Sequence, residues 1–282
     1  MARGLNVRSL RPRDRDAALA HLEAAPRLNL ALIDLVLRLG GSGSRRETRP
    51  ELMAVWEKSR LVGLAALRPS VMLDALAEPA ALEALFPHLS GVGSGLVKST
   101  EDRVGPLWDW LESRGHRALL DRIEISYAVE PAALLPAEPP PGWTIRSAGD
   151  EDLDALVEAA RESLREENRP DPSKGDPAGF RRWVHGRLPR AVVGERDGKP
   201  GFVGYADVQC PRGWLLQGVF TWPEARRQGV GTAGVSELCR RAFESRAQHV
   251  QLAVVEGNLA AEKLYARLGF EAHARLRTLL FV

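Results

Sequence analysis

Seven consecutive residues, Arg226-Arg227-Gln228-Gly229-Val230-Gly231-Thr232, have the types and spacing of an anion cradle. They stand between a segment that reads as a strand and one that reads as a helix. The start of a helix leaves about four backbone amides without intrahelical partners, and its dipole favours negative charge there. Glycine at 229 and 231 lets a ligand approach the backbone closely. The first acid in the helix is Glu237, so no carboxylate in the first turn competes for a phosphate. Arg226 and Arg227 add positive charge beside the opening. The chemistry this suits is recognition of a pyrophosphate. The plainer alternative is a glycine-rich turn with exposed arginines.

Three phosphate-binding templates compete. A nucleotide-triphosphate loop, GxxxxGK[ST], needs a lysine that is absent. A dinucleotide fingerprint, GxGxxG, is matched literally by Gly229-Val230-Gly231-Thr232-Ala233-Gly234, and Glu256 lies where a ribose-binding acid could sit. That fingerprint follows its strand almost directly, whereas TWPEARRQ separates Phe220 from Gly229 here. Too little chain follows to finish a doubly wound sheet. The third template fits best. Thr221-Trp222-Pro223-Glu224-Ala225-Arg226-Arg227-Gln228-Gly229-Val230-Gly231 resembles the GNAT superfamily of N-acetyltransferases, whose signature [QR]xxGx[GA] is entered through a Pro-Glu pair. Downstream, Asn258…Ala261…Leu264-Tyr265…Leu268-Gly269-Phe270 resembles the second family motif, N..A..LY..LGF. The resemblance covers residues 143–282.

The resemblance implies acetyl-CoA as co-substrate and no metal. By position, it implies that Arg226, Arg227, Gln228, Gly229, Val230, Gly231 and Thr232 form the coenzyme A pyrophosphate loop, with backbone amides as donors. It places Val219, Phe220 and Thr221 on the strand whose backbone binds the acetyl carbonyl and pantetheine. Gln217 and Gly218 fall where that strand bulges and splays from its parallel neighbour, residues 250–255. Asn258 falls near the coenzyme arm, and Tyr265 near the thioester sulfur as the general acid candidate. In such a reaction an amine attacks a thioester and a tetrahedral oxyanion develops, which amides near Val219 would stabilise. The amine must be neutral, so a general base or a water chain is needed. The strand WLLQGVFT carries no carboxylate, and Asp207 and Glu195 are weak substitutes, each also readable as a structural carboxylate. Tyr265 is also readable as a packed helix tyrosine, Asn258 as a helix cap, and Cys239 as core.

These residues need elements to hold them. Residues 143–147 alternate as a strand, and Asp150 suits the start of a helix running to about Glu167. A polar loop, 168–176, precedes a helix over 177–187. Strands follow at 191–196 and 202–209, joined at Asp197-Gly198, and another at 214–221. A helix over 229–246, a strand over 248–255, a short helix over 258–268 and a bent strand or hairpin over 270–282 complete the half. The class is α/β (α+β): a mixed, mostly antiparallel sheet flanked by helices.

The chain, 282 residues long, is roughly two domains. Residues 131–141, rich in proline, read as an extended linker. They separate a first domain, 1–130, from a second, 142–282. The halves echo each other: Val7-Arg8-Ser9 with Asp14 and Asp16 recurs 138 positions later as Ile145-Arg146-Ser147 with Asp152 and Asp154. Leu107-Trp108…Leu111 likewise echoes Leu264-Tyr265…Leu268. The first half lacks RxxGxG, carries Trp108 in place of tyrosine, and its Gly91–Gly95 run precedes a strand. It reads as a degenerate GNAT-like copy that no longer binds coenzyme A.

Composition bounds the partners. With 39 basic and 37 acidic residues, net +2, binding to nucleic acid by bulk charge is not indicated. No run approaches the roughly 18 apolar residues of a membrane span, there is no secretory signal, and Cys210 and Cys239 are too few for a disulfide framework or zinc site. The expected setting is cytoplasmic. The expected function is transfer of acetyl from acetyl-CoA to a primary amine of a small-molecule, peptide or protein acceptor. The alternatives are a non-catalytic acyl-CoA-binding sensor or scaffold, and an NAD(P)-binding enzyme.

Overall fold

The computed structural model describes residues 4–40, 50–89 and 95–282. The Gly91–Gly95 run lies outside them except for its last residue. The chain forms two units. One comprises Met1–Ser126, Val255–Gly257 and His273–Val282, the other Tyr127–Val254 and Asn258–Ala272.

The first unit runs β1 (Leu5–Ser9), α1 (Arg15–Leu22), α2 (Pro26–Leu37), β2 (Glu51–Glu57), β3 (Arg60–Arg68), β4 (Val71–Leu73), α3 (Pro79–Leu89), β5 (Gly95–Thr100), α4 (Glu101–Glu112) and β6 (Ala118–Val129), the unit boundary falling near the end of β6. The second half of the chain runs β7 (Thr144–Ser147), α5 (Leu153–Glu166), α6 (Pro177–His185), β8 (Ala191–Arg196), β9 (Lys199–Cys210), β10 (Gly213–Thr221), α7 (Val230–Glu244), β11 (Val250–Val255), α8 (Leu259–Arg267) and β12 (Glu271–Phe281), of which β12 from His273 on belongs to the first unit. The order is the same twice over. In each unit the first four strands pair antiparallel in sequence, and the fourth pairs parallel with the fifth.

The echoed residues do the same work in both units. Arg8 chelates Asp14 at 2.6 and 2.9 Å, and that carboxylate also accepts the Arg11 amide at 2.9 Å. Arg146 chelates Asp152 at 2.7 and 2.8 Å, and Asp152 accepts the Gly149 amide at 2.8 Å. Asp152, not Asp150, therefore ties down the entry to α5. A 3-10 turn, Asp150–Asp152, precedes the helix. Trp108 and Tyr265 are both buried.

Two features differ from the sequence reading. The C-terminal strand groups with the first unit: β12 pairs with β5 from Leu276↔Thr100 to Phe281↔Gly95. Its Leu279 and Phe281 enter the core of Leu82, Val97 and Trp108. The proline-rich segment is not a free spacer. Its prolines do keep it out of helix and sheet, but it lies on the second unit. Leu134 and Ala137 pack against that core, the Leu135 amide donates to the Leu268 carbonyl at 3.1 Å, and the Ala137 amide donates to Ser236 Oγ at 2.9 Å.

The Arg8 guanidinium holds the Asp14 carboxyl down at about 2. A lowered carboxylate pKa stabilises the fold above the unfolded-state value and is lost as pH falls through the folded-state value. We expect Asp14→Asn to cost roughly 2 kcal/mol at pH 7 and the difference to shrink as pH falls below about 4 and to vanish only below about pH 2, read from urea melts across that range.

Candidate active site

The site is built where β10 leaves both neighbours. Against β9, Gln217 faces Tyr205 and Phe220 faces Val203, so Gly218 and Val219 stand opposite one residue in a β-bulge. Gly218 has φ +59°, a conformation that favours glycine. Against β11, parallel pairing covers Trp214↔Val250 and Leu215↔Gln251 and then ends. The remainder of β10 and β11 is the V-shaped splay.

Past the open end of β10, a 3-10 turn, Pro223–Ala225, leads to the glycine loop. Arg227 (φ +62°) and Gly229 (φ +87°) are both left-handed, and α7 starts at Val230 with the Ala233 amide donating to the Gly229 carbonyl at 3.0 Å. The amides of Val230, Gly231 and Thr232 precede the first intrahelical bond and face outward from the helix end. Arg227 is exposed and makes no side-chain hydrogen bond or ion pair among the described residues. Cores on both sides fix the loop. A Cβ on Gly234 would lie 2.1 Å from Phe202, which is fully buried, and one on Gly231 would lie 2.9 Å from Thr221 Oγ1. All three GxGxxG glycines thus have local reasons: a left-handed turn and two close approaches of α7 to the sheet.

Several expected site residues have their side chains occupied. Arg226 donates to the Thr221 carbonyl at 2.9 Å and to Glu166 at 2.5 Å, so it bridges the end of β10 to α5. Gln228 accepts from Arg196 at 2.9 Å and donates to the Glu224 carbonyl at 2.6 Å, bracing the loop. Phe220 is buried against Trp222, which leaves its backbone for any ligand. Val219 and Thr221 are half-buried. Asn258 caps α8, accepting the Ala261 amide at 3.2 Å. Tyr265 sits in the core with Leu216 of β10 and Val254 of β11, and burial pushes its phenol up. At neutral pH it is a proton donor. Burial likewise keeps the Cys239 thiol protonated.

Neither candidate base is free. Glu195 accepts Arg146 at 2.7 Å, in the cluster that holds Asp152. Asp207 is chelated by Arg187, Nε to Oδ1 at 3.0 Å and Nη2 to Oδ2 at 2.5 Å. Sequence reasoning missed the group around that pair. Arg187 lies between two aromatic rings, 3.8 Å from the Tyr205 centroid and 4.6 Å from that of Trp183. A Cβ on Gly218 would meet Tyr205 at 3.0 Å and Arg187 Nη2 at 3.2 Å. The signal was present in part: Tyr205 and Asp207, two apart on β9, share a face.

Among the described residues no group of three or more His, Cys, Asp and Glu could hold a metal, and no helix is long and apolar enough to cross a membrane. The model of the Acetyltransferase (GNAT) family matches residues 153–270. The chain's fold is that of solved GNAT proteins along nearly its whole length. A Drosophila protein superposes with TM-score 0.71 at 14% identity, covering 97% of this chain and 98% of its own. A GCN5-related N-acetyltransferase from Sphaerobacter thermophilus gives 0.65 at 18%, covering 99% and 96%. A tandem GNAT protein from the clavulanic acid biosynthesis pathway gives 0.56 at 17%, covering 98% of each chain. No curated protein gives a significant match.

The close approach at Gly234 makes its replacement costly. Gly234→Ala should lower the stability of the second unit by about 3 kcal/mol, the scale of overpacking a closed core, measured by thermal or urea denaturation. Gly198→Ala, where a Cβ meets nothing within 4 Å, should cost only the left-handed strain of about 1 kcal/mol.

Proposed function

We propose that the second unit binds acetyl-CoA and transfers its acetyl group to a primary amine. The observation that carries this reading is the set of outward-facing amides at the start of α7, with exposed Arg227 beside them and no carboxylate in the first turn. The residues suit the coenzyme. Those amides and Arg227 would hold the pyrophosphate, and the unpaired edges of β10 and β11 offer backbone donors and acceptors to the amide-bearing pantetheine arm. The bulge at Gly218 and Val219 frees backbone groups from the β9 ladder, and donors there would stabilise oxyanion charge on the thioester carbon. Tyr265, protonated and beside the splay, would donate to the departing thiolate.

A carboxylate base is not part of this proposal. For Asp207 to take a proton it would have to give up its two-point bond to Arg187, and for Glu195 its bond to Arg146. Water in the splay takes that role. In the first unit the connection between β4 and α3 lacks the glycine pair and is closed on its own side chains. There the Ala75 amide donates to Asn29 Oδ1 at 3.0 Å and the Leu76 amide to Asp74 Oδ1 at 2.8 Å.

Calorimetric titration with acetyl-CoA tests the reading. Wild type should bind in the micromolar range, about −8 kcal/mol, and an Arg227→Glu/Gly229→Glu variant should lose at least about a hundredfold. No binding at millimolar acetyl-CoA sinks the proposal, and tight NAD(P) binding in its place would favour the dinucleotide alternative. Binding without turnover of any amine would leave the sensor.

A further inference from the structure

The cluster beside the Gly218 bulge is rich in donors, and its one carboxylate is already paired. A guanidinium carries five N–H donors. Asp207 takes one on Nε and one on Nη2 of Arg187, and no other side chain or carbonyl among the described residues accepts the remaining three. Tyr205 is 2% exposed, and its hydroxyl is buried without a partner. Burial holds that phenol up at about 12, so it too is present as a donor. Buried polar groups are rarely left unpaired, because each costs about 1–3 kcal/mol. The buried, unpaired hydroxyl and the spare guanidinium donors sit on one stack: the Arg187 guanidinium lies on the Tyr205 ring, and Gly218 packs against both. The stack is one layer from solvent, since Gly218 is exposed and Trp183, on its other side, is 51% exposed.

We infer that Arg187 and Tyr205 form a carboxylate-reading subsite, and that the amine acceptor of the second unit is an amino-carboxylic acid. This rests on the acyl-transfer reading for the word acceptor. The carboxylate class follows from the donors alone. The one carboxylate in contact with Arg187, Asp207, is already committed, so the cluster has no free negative charge for an ammonium group and Arg187 repels one. A carboxylate brings the acceptor atoms that the guanidinium edge and the phenol lack, and arginine suits it geometrically. Asp207 is a positioning residue, holding the guanidinium flat between the rings. The exposed indole of Trp183 adds an apolar surface for the rest of the acceptor.

The experiment uses the full-length protein. N-acetyl-L-amino acids with apolar, aromatic, polar and charged side chains are compared with their N-acetyl carboxamides in thermal denaturation, with and without coenzyme A. The parent amino acids and amino acid amides are compared as acceptors by thiol release from acetyl-CoA. Free carboxylates should exceed the amides by at least about tenfold in apparent affinity, or in kcat/KM referred to the neutral amine, the scale of one charged hydrogen-bonded contact. In an Arg187→Gln/Asp207→Asn variant, which leaves no lone buried charge, the ratio should collapse toward one through KM, with acetyl-CoA affinity unchanged. Tyr205→Phe should keep or raise the melting temperature and reduce the ratio by roughly fivefold. Amides that perform as well as acids, or a double variant that keeps the ratio, would overturn the inference, as would the failure of every carboxylate to bind or react. If acetyl-CoA does not bind, the coenzyme reading falls separately, and the denaturation arm without coenzyme A still decides the subsite.

Discussion

Parallel pairing of β10 with β11 stops after Leu215↔Gln251, and the second unit's site depends on that stop. Had the ladder continued, the backbone groups from Leu216 onward would be consumed by the sheet. The stop needs support, because unpaired strands bury polar groups at a cost. Support comes from one side chain in particular. Phe202 of β9 fills the space beside Gly234, bringing α7 so close that no larger residue fits. Thr221 at the end of β10 touches Gly231 in the same way. The helix thus anchors the strands while their edges diverge, and its first turn is delivered to the mouth of the gap.

The two units share an element order and an Arg–Asp clamp at the same entry, yet part ways after the fourth strand. In the second unit that strand, β10, runs nine residues and ends in a loop with open amides. In the first it is β4, three residues long, followed by Asp74. Asp74 has a fully buried side chain that accepts the Leu76 amide and pairs with His21 at 2.6 Å, and Asn29 takes the Ala75 amide. In the first unit, side chains accept two amides of the connection between β4 and α3, whereas the glycine loop before α7 is braced from outside by Arg196 and Arg226. The connection in the first unit is thus closed on its own side chains, and the one in the second unit is held open at its edge.

The glycine loop was legible because Gly229 and Gly231 stand at a strand-to-helix change, and the element order because helical and alternating periods are local. The internal duplication was legible from Arg8, Asp14, Arg146 and Asp152, which keep both identity and spacing. Membership of elements was less legible. Residues 130–141 contain the prolines that dictate an extended path, but nothing local says that Ala137 will meet Ser236 or that Pro140 will lie over Gly229. The composition of β12 does not reveal that β5 is its partner. In the site, Arg187 and Asp207 are 20 positions apart, and their meeting follows only from where the turn after α6 meets β9. Asp207 looked like a spare carboxylate because its partner lies beyond local sequence reach.

The commitment of Asp207 and Glu195 to arginines also constrains the chemistry of the amine. With neither of these carboxylates free to accept a proton in the proposed transfer, the amine would have to arrive neutral or lose its proton to water. The rate would then fall with every unit by which the amine's pKa exceeds the ambient pH. A lysine side chain, near 10.4, is protonated more than about a thousandfold over its neutral form at pH 7, whereas a peptide α-amino group, near 8, is protonated only about tenfold. A neighbouring carboxylate raises an α-amino group above that value, so an amino acid gives up part of this advantage. The proposed subsite acts on binding instead: donors on Arg187 and Tyr205 would hold the acid at the site and offset its smaller neutral fraction.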